Sequence, residues 1–193
     1  SSIIVESVST SVDDSLGVEV ENDSTISSLS IANITPVSIA TGKTLSGAIG
    51  VTAGSIKLTD TGTLASTVSM SDGTTLDVDN SLTVSGVFTH TGNTTIDVAD
   101  TSTLTYTGTP ISLGSHTLSV DGAGTLSNAS ESPFVIDQTD SKLHLISTGI
   151  ISGPVKLEKG ILKSSGSATI SGDLTQYNNA TIDVPVDQIL TYT

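Results

Sequence analysis

Pairs of apolar residues in strict alternation return along this chain at a nearly constant interval. The segments SIKL, TLDV, TIDV, TLSV, KLHL and a second TIDV place them at Ile56/Leu58, Leu76/Val78, Ile96/Val98, Leu118/Val120, Leu143/Leu145 and Ile182/Val184. Alternation of period two sends successive side chains to opposite faces of a strand, so each pair marks a short strand with one buried face. The first members of the pairs, with Leu162 added, are separated by 20, 20, 22, 25, 19 and 20 residues. A unit of that size cannot close a core alone and must stack on its neighbours, which is the signature of a solenoid.

A second strand follows in most units: GTLAS (Leu64), SLTVSG (Leu82), STLTYTG (Leu104), GTLSN (Leu126), ATISG (Ile170) and ILTYT (Leu190). No stretch sustains the apolar spacing of three and four that a helix needs, and the dominant Thr, Ser, Val, Ile and Gly are modest or poor helix formers. Two or three short strands per unit, with Gly, Asn or Asp at the corners, predict an all-β fold, a right-handed parallel β-helix. At a strand spacing of about 4.8 Å, roughly nine coils make a rod on the order of 45 Å long.

A longer repeat overlies the short one. LTVSGVFTHTGNTTIDV (Leu82 to Val98) returns as ATISGDLTQYNNATIDV (Ala168 to Val184), and residues 95–107 match 181–193 at a shift of 86. That period is also the size of one sandwich domain, so tandem immunoglobulin-like β-sandwiches are the competing architecture. The persistence of the shorter unit and an aromatic content of only 3% favour the solenoid. The expected organisation is an acidic N-terminal segment over residues 1–54, serving as a cap or as first irregular coils, followed by β-helix coils over 55–193.

Six Lys, no Arg and twenty carboxylates give a net charge of −14. Nucleic acid is a poor partner for such a chain, because phosphate neutralisation needs clustered bases, and the basic cluster here is confined to Lys156, Lys159 and Lys163. An anionic membrane surface is disfavoured for the same reason, and no apolar run is long enough for membrane insertion. Cysteine is absent, so stability must come from ladder hydrogen bonds and stacked side chains rather than disulfides.

The stretch from Leu82 to Ile96, with Ser85, Gly86, Thr89, Thr91, Gly92, Thr94 and Thr95 inside it, resembles the passenger-associated repeat of bacterial autotransporters. The wider coil pattern is similar to the β-helical stalks of autotransporter and filamentous-haemagglutinin-type exoproteins. Where that family has an Asn-Ala-Gly turn after the Ile strand, this chain has Asp97-Val-Ala-Asp100 and Asp183-Val-Pro-Val. The resemblance implies a secreted protein at or beyond the bacterial cell surface, with an adhesive, stalk or filament-forming role. The partners it implies are further copies of itself, stacked end to end or as more coils of a longer chain, or a host or cell-surface glycan or protein. Gly86 and Gly92 are expected to supply turn conformations closed to other residues, and the Thr positions of the motif to lie on outward strand faces.

Some β-helices bind or degrade polysaccharides, so carboxylate placement matters. The positions between the apolar pairs read Lys57, Asp77, Asp97, Ser119, His144, Lys163 and Asp183, which stacks Asp77 on Asp97 about 5 Å apart. A second acidic line runs through the turns at Asp60, Asp79, Asp100, Asp121 and Asp187, where carboxylates bond local backbone amides. Asp77, Asp97, Asp79 and Asp100 are therefore the candidate Ca²⁺ ligands, Ca²⁺ being the one cofactor the sequence suggests. No partner set completes a catalytic site, and His90, His116 and His144 lack metal-ligand spacing. A last pattern flanks the second strands. Thr83, Thr103 and Thr105, Thr125 and Ser127, Thr169, and Thr191 form a Thr-x-Thr-like surface ladder, and such ladders on solenoids resemble ice-binding surfaces. An ice-binding role is thus an alternative to the structural and polysaccharide-binding ones.

Overall fold

The computed structural model describes residues 17–193. The described chain is all strand and turn, and every strand pair in it is parallel. One coil shows the plan. The strand Thr35–Ile39 lies on a first face, Thr44–Ser46 on a second and Ala48–Val51 on a third, and Ser55–Leu58 returns to the first face one coil up. The second face stacks nine strands, from Ser24–Thr25 to Thr191–Tyr192. This is a three-sided β-solenoid. Sandwich domains, built on antiparallel hairpins, are excluded by that ladder.

The alternation that announced the strands also builds the core. Ile56, Leu58, Leu76 and Val78 on the first face, Leu64 and Leu104 on the second, and Val68 and Met70 on the third are all buried, while their neighbours in sequence point out. One continuous cluster of such residues runs from Val20 to Ile170. The 54/55 boundary drawn from sequence crosses no break: Thr35–Ile39 pairs directly with Ser55–Leu58, and Leu29–Ile31 with Ala48–Val51. Of the acidic N-terminal segment, residues 1–16 lie outside the described residues.

Register is where sequence spacing and structure part. Ile96 pairs with Val120 rather than with Leu118, which lies opposite Thr94. On the second face Leu64 pairs with Val84 rather than Leu82, and Ile170 with Tyr192 rather than Leu190. Each displacement is two residues. A shift of two keeps every apolar side chain inward, so the alternation that defines the strands is blind to it. It also takes the 86-residue repeat out of phase with the geometry: Thr94, Leu118, Leu143, Leu162 and Ile182 share one column, and Ile96 occupies the next.

Two expectations for the Leu82 to Ile96 motif are corrected. Gly86 and Gly92 do not adopt positive φ. They are small because the next coil is close: a Cβ on Gly86 would lie 1.8 Å from the Ser66 carbonyl oxygen, and one on Gly92 2.5 Å from Asp72 Cβ. Thr94 points into the core, not outward, and its hydroxyl has no hydrogen-bond partner there.

Near the C-terminal end the corner between the third and first faces opens. Val155–Ser164 and Leu174–Asp183 each run as a single ten-residue strand through it. Gly160 makes this passage at φ 71°, buried against the previous coil, where an added Cβ would meet the Ser141 carbonyl oxygen at 2.4 Å.

Candidate functional site

The chemistry of this solenoid lies on its outward positions, and parallel stacking decides which of them meet. On the first face, Lys57, Asp77, Asp97 and Asp121 form one column, each paired in register with the next. Sequence spacing had put Ser119 above Asp97 and left Asp121 in a turn; the two-residue shift brings Asp121 into the strand column instead. Lys57 Nζ closes the lower end with ion pairs to Asp77 at 3.4 Å and Asp79 at 3.1 Å. Asp121 closes the upper end, accepting the Gly122 N–H at 2.8 Å and the Ser147 hydroxyl.

The electrostatics follow from that order. Partial burial pushes the Asp97 carboxyl above its ordinary value, and the charges of Asp121, Asp77 and Asp79 push it further against the weaker pull of Lys57. The Lys57 ammonium is held above its usual range, chiefly by its hydrogen bond to Asp79, with the charges of Asp77 and Asp79 adding and burial opposing. Lys57 is the cation that the chain itself supplies to this column. Of the four candidate Ca²⁺ ligands, Asp77 and Asp97 stack, Asp79 turns to Lys57, and Asp100 sits exposed in the next turn. Among the described residues, no three His, Asp or Glu side chains converge as a group that could hold a metal ion. Asp60, from the second acidic line, bonds its own turn through the Thr61 N–H at 2.8 Å.

The same face changes sign higher up. Lys142 and His144 lie on one coil and Lys163 on the next, with His144 in register with Lys163. Burial, then Lys163 and Lys142, push the His144 imidazole below its ordinary value, against Asp121. Lys156 and Lys159 stand exposed on the long strand that continues this surface around the corner.

The second face carries hydroxyls. Register aligns Thr44, Thr63, Thr83, Thr105, Ser127 and Ser152 in one column without interruption. A second column holds Ser81, Thr103, Thr125, Ile150, Thr169 and Thr191, with Ile150 as its one apolar member. All the ladder residues expected from sequence are thus on one face, and the register adds Thr44 and Ser152 and sets Thr63 in the column of Thr83. The two columns stand about 6.8 Å apart along the strands and their members about 4.8 Å apart along the axis.

Sequence reasoning also missed a histidine contact. His90 and His116, 26 residues apart in a chain of shorter coils, meet edge to face with ring centroids 5.7 Å apart. Both ring nitrogens of His90 face carbonyl oxygens, of Gly92 at 3.1 Å and Ser112 at 3.2 Å.

Comparison with known proteins finds no family model, no curated protein and no solved structure that matches the chain.

Proposed function

We propose that this chain is a structural segment of a secreted bacterial surface protein, a stalk or adhesin shaft that presents binding surfaces along a stiff rod. The observation that carries the reading is the uninterrupted apolar core from Val20 to Ile170 beneath a nine-strand ladder. Such a stack resists bending because each coil is tied to the next by a full set of backbone hydrogen bonds. The motif resemblance of Leu82 to Ile96 supports a place at the cell surface.

Two measurements test this. Small-angle X-ray scattering of the purified chain, with and without Ca²⁺, gives a single elongated body of about 40 Å for nine rungs. A panel of polysaccharides incubated with it yields no new reducing ends or unsaturated products. Turnover that disappears in an Asp77→Asn, Asp97→Asn double variant overturns the structural reading in favour of a polysaccharide-degrading one.

The double hydroxyl column favours a second reading, ice binding through the second face. A flat array of Thr and Ser at fixed spacing is the observation behind it. Ice crystals grown with the protein then change shape, and Thr105→Lys abolishes the change. Crystals of ordinary shape dismiss it.

A further inference from the structure

We propose that the strands Lys142–Leu145 and Val155–Ser164, with Leu174–Asp183 beside them, form a binding site for an acidic polysaccharide. This site deepens the reading above, on which it rests: it gives one surface of the shaft a ligand class.

Four lysines of this chain lack counter-charges. In a chain of net charge −14, four of the six lysines, Lys142, Lys156, Lys159 and Lys163, fall on two neighbouring strands. Among the described residues only Lys57 forms ion pairs. Glu158 stands between Lys156 and Lys159, and Asp183 lies in register with Lys163, yet neither closes an ion pair with them.

The field at His144 reports this surplus of positive charge. Lys163 is in register with it, Lys142 precedes it by two residues, Ser119 lies on the coil below, and the Ser165 hydroxyl is 2.7 Å from its Nε2. After burial, the two lysines are what disfavour its protonation, against Asp121, which favours it.

Shape and composition decide the occupant. Strands in register present their outward residues in level rows, and Lys156 to Lys163 spans about 23 Å of strand, which suits an extended polymer rather than a small anion. The next strand carries polar groups for sugar hydroxyls: Thr175 in register with Lys156, Asn179 with Lys159 and Thr181 with Ile161, all exposed. Tyr177 on that strand, 54% exposed, adds an apolar ring with a polar tip. A nucleic acid fits less well. Its duplex carries about one charge per 1.7 Å, and Arg, which forks onto phosphate, is absent from the chain. A polysaccharide with one carboxylate or sulfate ester per sugar is charged more sparsely and is repelled less by an acidic rod. At about 0.1 M salt the Debye length is near 10 Å, so carboxylates on distant coils are screened while lysines in contact are not.

Binding is coupled to a proton. An anion held between Lys142 and Lys163 favours the imidazolium form of His144, so affinity rises as the pH falls, and a filled site makes His144 easier to protonate.

The test is calorimetric titration at about 0.1 M salt with polygalacturonate, a carboxylated chain, and with dextran sulfate, a sulfated one, beside neutral dextran and a single-stranded DNA oligonucleotide. Binding is expected to one or both acidic polysaccharides, the pair showing which acid group the site prefers, and to neither dextran nor DNA. Lys142→Ala with Lys163→Ala weakens it about tenfold, through the loss of two exposed contacts, with the circular dichroism of the native fold. Lys43→Ala leaves it unchanged. His144→Gln keeps the affinity seen at about pH 8 and loses the increase at about pH 5.5. A wild-type chain that binds neither acidic polysaccharide, one that binds DNA or neutral dextran as tightly, or a double lysine variant of unaltered affinity overturns the proposal. Small-angle scattering of the same samples keeps the two readings apart. An elongated body that binds neither polysaccharide dismisses the site and leaves the shaft, whereas a compact body that binds one dismisses the shaft and leaves the site.

Discussion

The first and second faces of this solenoid are built on one plan and differ in a single respect, the chemistry of the outward side chain. Both bury an alternating aliphatic stripe, and both stack each outward residue on its counterpart one coil away. On the second face that rule sets Thr83 beside Thr63 and Thr105, where neighbouring β-branched side chains pack on one another. On the first face it sets Asp97 between Asp77 and Asp121, where like charges repel and the carboxyl is pushed up. Parallel stacking thus amplifies whatever residue a column repeats, favourably for hydroxyls and unfavourably for carboxylates.

Substitutions on either face separate the shared core from the differing outward chemistry. The inward sides should be equivalent. Ile96→Ala on the first face and Leu104→Ala on the second each leave a cavity in the same core, and each is expected to cost about 2–5 kcal/mol in urea unfolding. A large difference between them would mean that the faces are not built alike. Next in size is transplanting the acid. Thr83→Asp together with Thr105→Asp makes a stacked carboxylate pair on the hydroxyl face and is expected to cost about 1 kcal/mol beyond the sum of the single changes. Repeating the measurement in concentrated salt should shrink that excess.

Removing an acid tests the converse. The folded-state value of Asp97 is raised, so its penalty is absent below the unfolded value near 3.9 and is fully present once the pH exceeds both. Asp97→Asn should therefore leave stability unchanged at about pH 3 and raise it at neutral pH, by roughly 0.5 kcal/mol for so exposed a pair. A gain that is the same at both pH values would assign the effect to packing. Smallest is the loss of the balancing cation. Lys57→Ala should cost a few tenths of a kcal/mol at neutral pH. Because the Lys57 value is raised on folding, its contribution is full below the unfolded value near 10.4 and fades as pH rises through the folded one. Wild type and variant should converge in strong alkali.

These effects hang on register, and register is the part of the fold that sequence reading could not reach. Strand positions, inward residues and coil size were legible at Ile56, Leu76 and Leu104, because alternation and spacing report them directly. The partner of Ile96 was not, since a displacement of two residues leaves alternation intact and the turns between coils absorb it. The same blindness hid Asp121 from the acidic column and Thr63 from the column of Thr83. His90 and His116 went unpaired because longer turns in that part of the chain set them farther apart than the average coil. The lysine patch was visible as a cluster at 156 to 163, but the place of Lys163 beside His144, one column away from the stacked carboxylates, needed the three-dimensional stack.

The decisive measurement exploits the absence of cysteine from the natural chain. In the register described, Asp97 and Asp121 lie opposite each other on adjacent strands, at a Cα separation of about 4.8 Å, inside the range a disulfide spans; Asp97 and Ser119 are a diagonal pair at about 8 Å, outside it. Mild oxidation of the Asp97→Cys, Asp121→Cys variant should close a disulfide within the monomer, and the Asp97→Cys, Ser119→Cys variant should remain reduced under the same conditions. The opposite outcome would set Leu118 beside Ile96, dissolve the acidic column and remove the contrast between the two faces.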